Sequence, residues 1–188
     1  MKRSVLLGLL IAFLTLPAAG LAADSKLDLT QRFLLLATSK TSTMQKELNE
    51  AAGAGYRIIG SSPTAGSEMV VIMEKVATPP QTYEYLLLAT TRTSTMQKEI
   101  SEAAAKGFRL LPKTIIAKEQ MLGPVEIVML MEKPPGTAPH YKYLLLATSR
   151  TSTMQKEMAQ ATDDGYQVVG MASRGEHVVI MEKAEGGG

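Results

Sequence analysis

The 188-residue chain has no cysteine, no tryptophan and only two histidines. The missing thiol excludes disulfide staples, thiol nucleophiles and thiolate metal sites, so the core must hold by packing alone. It also excludes a lipid anchor on an N-terminal cysteine. His140 lies in a proline-rich spacer and His177 opens an apolar run, which suits surface positions better than a general base or a metal ligand. No Gly-rich phosphate loop occurs. Aromatics make up 5% of the chain, so the interior has to be aliphatic, with 12 methionines to fill gaps. Met44, Met96 and Met154 recur in register, as do Met73, Met131 and Met181. Thioethers of an exported protein can hold Cu(I), but no methionine cluster joins a histidine here, and a core role is the simpler account. No cofactor and no metal are implied.

An excess of either charge is absent too. Lysine and arginine number 20 against 18 acidic residues, and two of the basic ones, Lys2 and Arg3, sit at the very start. The remainder is neutral with mixed signs, which leaves no footprint for nucleic acid. Residues 1–23 have a basic start, an apolar run from Val5 to Leu16, then Pro17 and small residues to Ala23. That is the layout of a secretory signal peptide, and the run is too short for a stable membrane anchor. The expected location is outside the cytoplasm, periplasmic or extracellular.

What the chain does have is one eleven-residue string written three times. It reads ATSKTSTMQKE from Ala37, ATTRTSTMQKE from Ala89 and ATSRTSTMQKE from Ala147. A triplicated unit follows, spanning 32–75, 83–133 and 141–183, with Pro-rich spacers at 76–82 and 134–140. Residues 24–31 read as a disordered lead-in and 184–188 as a flexible tail.

Each unit reads strand, helix, strand, strand. The opening strand carries three leucines in a row, as expected where both faces are covered. Ser42, Ser94 and Ser152 stand three residues before Gln45, Gln97 and Gln155, a capping-box spacing. Gly55, Gly107 and Gly165 are placed to stop the helices. Pro112 cannot donate to a ladder, so the second strand should be an edge or end there. A right-handed crossover followed by a hairpin places the third strand between the other two. The fold class is therefore α+β: three tandem βαββ repeats with mixed or antiparallel three-stranded sheets of order 1-3-2. A unit this small is marginal alone. The expectation is one body with a shared core and helices outside, with pseudo-threefold symmetry as its most compact form. A linear array, or pairing with a second chain, is the alternative.

Tyr83 and Tyr85, Tyr141 and Tyr143, Gly107-Phe108, Gly165-Tyr166, Lys133 and Lys183 together carry a resemblance. The units resemble a small bacterial domain-of-unknown-function family with a Y-x-Y strand, a helix, a Gly-Trp pair and a hairpin ending in a basic residue. The chain departs from it by lacking tryptophan and by opening its first unit with Arg32-Phe33. The resemblance implies a βαββ fold and no activity.

Divergence among the copies is uneven: hairpins and helix ends have drifted, while the string has barely moved. Capping needs only one Ser, Thr, Asp or Asn. Lys40, Thr41, Ser42 and Thr43, with Arg92, Thr93, Ser94 and Thr95, and Arg150, Thr151, Ser152 and Thr153, therefore form a candidate surface for an anionic or hydroxyl-rich ligand or a protein partner. The more economical account is that the copies pack on one another around an axis, or that the duplication is recent. Glu74, Glu132 and Glu182, each followed by lysine, read as solvated strand ends and not as acid–base groups. No catalytic residue stands out. The favoured function is a non-enzymatic binding or interaction module. The alternatives are a self-assembling structural component of the envelope or extracellular space, with homo-oligomers, and a small-molecule enzyme with a pocket at the unit junctions.

Overall fold

The computed structural model describes residues 27–64, 66–76, 82–136 and 139–185. The expected signal peptide at 1–23, the end of the tail at 186–188 and the middle of each spacer lie outside the described residues. The first unit comprises β1 (Phe33–Thr38), α1 (Thr41–Gly53), β2 (Tyr56–Pro63) and β3 (Met69–Lys75). The second comprises β4 (Glu84–Thr90), α2 (Thr93–Ala105), β5 (Arg109–Leu110), a 3-10 turn (Pro112–Thr114), β6 (Ile116–Lys118) and β7 (Glu126–Lys133). The third comprises β8 (His140–Thr148), α3 (Thr151–Asp163), β9 (Gln167–Ser173) and β10 (His177–Glu185).

The three sheets are antiparallel at every pairing, with the last strand of each unit in the middle: β1-β3-β2, β4-β7-β5 and β8-β10-β9. That is the strand order expected from crossover handedness. The short β6 joins β7 beyond the 3-10 turn, because Pro112 ends β5 and starts a helical turn with its fixed φ. In the first and third units the same place holds a bulge, at Ile59 and at Val169. Gly55, Gly107 and Gly165 follow the helices at φ of 86–89°, the left-handed stop that glycine adopts without a Cβ penalty.

The helix starts correct one expectation. Each helix begins at the threonine before the serine, so Lys40, Arg92 and Arg150 are the N-caps and no side chain caps the helix. The turn is held one step earlier. Thr38, Thr90 and Thr148 each accept the backbone N–H of the N-cap residue at 3.1 Å. Ser42, Ser94 and Ser152 fall in the first turn, and the glutamines are released for another task.

The arrangement of units also departs from a closed body. One hydrophobic cluster joins the front of sheet 1 and α1 to the back of sheet 2, through Met44, Leu48, Val71 and Met73 on one side and Tyr85, Val128 and Leu130 on the other. A second joins the front of sheet 2 and α2 to the back of sheet 3, through Met96, Ile100, Met129 and Met131 against Tyr143, Val178 and Ile180. The third cluster, around Met154, Ala161, Val179 and Met181, contains third-unit residues alone. Among the described residues no cluster joins the first unit to the third. The layers therefore run sheet 1, α1, sheet 2, α2, sheet 3, α3, with α1 and α2 between successive sheets. The physical reason is directional: each unit offers its helix face forward and its sheet back behind, and repeating a front-to-back contact builds a stack.

The lead-in, expected without order, is docked from Leu27 onward. Leu27 and Leu29 pack against the first cluster, and the Tyr56 hydroxyl donates to the carbonyls of Leu29 and Gln31. Lys75 Nζ donates to the Leu29 carbonyl at 2.9 Å.

Candidate functional site

The twelve residues of the candidate surface do not converge. The first two copies of the string face the hairpin of the next unit. Around α2, Arg174 of the β9–β10 turn donates to Thr93 Oγ1 at 2.7 Å and to the Thr90 carbonyl at 3.3 Å, while Thr93 Oγ1 donates to Glu176 at 3.2 Å. Around α1, Lys40, Thr41 and Ser42 border an open cleft of about 550 Å³ whose far wall holds Lys118 and Glu126. Lys118 is buried there and already paired with Glu126 at 3.3 Å. Around α3 no described hairpin faces the string, and Arg150, Thr151 and Ser152 are exposed. The copies do not pack about a common axis: the first two are turned toward the next unit and the third is exposed.

Those contacts account for much of the string. Its methionine enters the core at Met44, Met96 and Met154. Its glutamine reaches the edge of the next sheet and behaves there like one more strand residue. Gln45 Nε2 donates to the Tyr85 carbonyl at 2.9 Å, and Leu87 N–H donates to Gln45 Oε1 at 2.7 Å. Gln97 does the same to Tyr143 at 2.9 Å and Leu145 at 2.8 Å. An amide side chain carries the donor and the acceptor that an open strand edge requires. Sequence reading missed this role because the same spacing also fits a capping box.

A second element crosses each junction, built on the Y-x-Y strand and the Glu-Lys strand ends. Arg57 of β2 makes two hydrogen bonds, at 2.9 and 3.1 Å, to Glu132 of β7. The Tyr85 hydroxyl donates to Glu132 at 2.9 Å and accepts the Ile58 N–H at 3.1 Å. One unit on, Arg109, Glu182, Tyr143 and the Leu110 N–H repeat the set, at 2.7 Å for arginine to carboxylate and 2.6 Å for tyrosine to carboxylate. Arg57 and Arg109 also lie over the rings of Tyr83 and Tyr141, at 4.7 and 4.2 Å. Glu132 and Glu182 are buried, which corrects their reading as solvated strand ends. Hydrogen bonding to these carboxylates raises the pKa of both guanidinium groups.

The two tyrosines make the junctions alkali-sensitive. Burial first, and the neighbouring carboxylate after it, pushes both hydroxyls well above their ordinary pKa of 10.0. The folded chain then keeps two protons that the unfolded chain releases, so stability is intact below about pH 10 and falls above it. The slope from this pair is up to about 1.4 kcal/mol per pH unit for each tyrosine. Urea titrations between pH 8 and roughly 11 should show a shallower decline in the Tyr85→Phe, Tyr143→Phe double variant. Equal slopes in the two proteins rule the assignment out.

At these junctions the described arginine, carboxylate and tyrosine groups are bonded to one another. Ser173 and His177 are cross-strand neighbours at 3.3 Å, but the adjacent Glu176 turns to Thr93 and Arg174 and leaves the ring unoriented. Among the described residues no group of three His, Cys, Asp or Glu side chains is placed to hold a metal ion. Among them also no helix is long and apolar enough to cross a membrane.

One surface stands out once the stack is laid out. Among the described residues the back of sheet 2 and the back of sheet 3 are covered, and the back of sheet 1 is not. Leu130 and Ile180 are 2% and 0% exposed, while their counterpart Ile72 is 43% exposed. Leu35 is 66% exposed, and Phe33 and Ile59 stand out beside it. No protein-family model, curated protein or solved structure matches the chain.

Proposed function

We propose that the chain is a non-enzymatic protein-interaction module that works after export and docks its partner on the back of sheet 1. One observation carries this reading: Phe33, Leu35, Ile59 and Ile72 form an exposed apolar face at positions that are covered in both other units. A grouped apolar surface on an edge-bearing sheet is a docking site by its chemistry, since leaving it in water forfeits burial and invites strand pairing. The outer edge strand β1 adds backbone groups of the kind that Gln45 and Gln97 engage on β4 and β8.

A photoreactive side chain placed at Leu35 or at Ile72 tests the reading. Cross-linked adducts should form from both positions in the producing cells, and not from a control at Lys106, which is exposed at the C-terminal end of α2. Equal capture from all three positions, or none from any, rejects it.

A further inference from the structure

We infer that the partner on sheet 1 is a second copy of this chain, seated head to tail by its α3 end; the inference rests on the reading of sheet 1 just given. The chain contains the template for this contact twice. At each internal junction a front surface of one unit covers the back of the next. The front consists of the glutamine of the string, the residue three positions beyond it and the first apolar residue of the second strand: Gln45, Leu48 and Ile58, then Gln97, Ile100 and Leu110. Leu48, Ile58, Ile100 and Leu110 are buried, and both glutamines are bonded across the junction. The third unit presents the same front with nothing over it among the described residues. Gln155 is exposed, Met158 is half-buried and Val168 is exposed.

The back surface that such a front covers is also left open once, on sheet 1. Tyr85, Leu87, Leu111 and Leu130 face the first junction, and Tyr143, Leu145, Val169 and Ile180 face the second. Their counterparts are Phe33, Leu35, Ile59 and Ile72, all exposed. In register, the Lys75 N–H bonds to the Arg32 carbonyl, which turns the Phe33 carbonyl and the Leu35 N–H away from β3 toward the open edge. Those two groups are what Gln155 of a second copy would engage, as Gln45 engages Tyr85 and Leu87. The two ends of the stack are therefore complementary to each other and not to themselves. Such a contact is heterologous, and it grows into a line unless its rotation closes a ring.

The ends also differ from the internal junctions in a way that sets the strength. Phe33 has no hydroxyl, Gln167 stands where Arg57 and Arg109 stand, and Glu74 is already held by Arg32 at 2.8 Å. The glutamine clamp and the apolar contact remain, while the arginine–glutamate–tyrosine set is lost. Association between copies is accordingly weaker than packing within one copy, and it is reversible and concentration-dependent.

Sedimentation velocity on the full chain tests this with two variants, each blocked at one end. Leu35→Asp spoils the sheet 1 end; Gln155→Asp with Val168→Asp spoils the α3 end. All three side chains are exposed, and unchanged circular dichroism and melting confirm that both variants fold. The weight-average mass of the wild type should rise with concentration, and each variant should stay monomeric. An equimolar mixture of the two should reach twice the monomer mass and stop, because each variant lends its one intact end. A wild type that stays monomeric at every concentration overturns the inference. So does an α3-end variant that still dimerises by itself, which would mean two sheet 1 faces pairing back to back. If the Leu35 photoprobe captures a different protein while the wild type stays monomeric, self-association fails and the docking surface stands. If the probe captures nothing, both fall.

Discussion

Replacing Glu182 by alanine should lower the unfolding free energy by about 3 kcal/mol, and the same change at Glu132 should cost a similar amount. The same change at Glu74 should cost about 1 kcal/mol or less. The three residues occupy the same place in the same Met-Glu-Lys ending, so the sequence gives no ground for the difference. The ground is what covers them. The side chains of Glu132 and Glu182 are 7% exposed and that of Glu74 is 37% exposed. Each buried carboxylate accepts from a guanidinium and from a buried tyrosine hydroxyl, and the tyrosine is in turn the acceptor for a strand N–H. Removing the carboxylate leaves the hydroxyl without its acceptor inside the protein, where an unsatisfied polar group costs about 1–3 kcal/mol. It also frees an arginine that is half in water, so that part of the loss is moderate. Glu74 and Arg32 form a solvated pair of the kind whose net contribution is small. Urea unfolding of the three variants measures this directly. A Glu74→Ala loss as large as the other two would mean that position in the stack does not set the energy of the carboxylate.

The same contrast shows how much of the architecture could be read from residues alone. Local chemistry was legible. The left-handed glycines after each helix, the break at Pro112 and the central third strand follow from steric and handedness rules that act within one unit. The order of units in space was not. Leu35, Leu87 and Leu145 sit in the same LLLAT run, and the run predicts coverage on both faces for all three. Leu35 is exposed because no described element packs on the back of sheet 1, a fact about stacking that no period in the sequence encodes. The serine and glutamine spacing pointed to a capping box, because a side-chain amide can satisfy either a helix start or a strand edge. In the structure it satisfies the strand edge. The twelve residues of the candidate surface were singled out because the string that holds them has barely changed. In the second copy Thr93 is held by Arg174 of the next unit, and in the first Lys40, Thr41 and Ser42 border a cleft toward it, whereas Gln155 of the third copy is exposed. An invariant clamp at an open end is what ties sequence conservatism among the copies to the surface proposed for association.

The middle unit expressed alone, Tyr83 to Lys133, should show no cooperative unfolding. Its sheet is used on both faces, and one of those faces is covered by the first unit. Ile127, Met129 and Met131 face α2, while Tyr83, Tyr85, Ile116, Val128 and Leu130 face the first unit. Cutting the unit out exposes those five side chains. At about 2 kcal/mol for each buried apolar side chain, the loss is on the order of 10 kcal/mol. A small domain has only about 5–15 kcal/mol in total, so the isolated unit has nothing left to fold with. The outer side of α2, which seats Tyr143, Leu145 and Val178, is bared as well. A chain ending at Lys133 keeps the first cluster whole and should still melt cooperatively, though at lower temperature than the full protein. The pair of measurements, by calorimetry or by circular dichroism against temperature, separates the stack from independent domains on a tether. A sharp, monomeric melting transition for Tyr83 to Lys133 would mean that each unit closes its own core and that the layers merely touch.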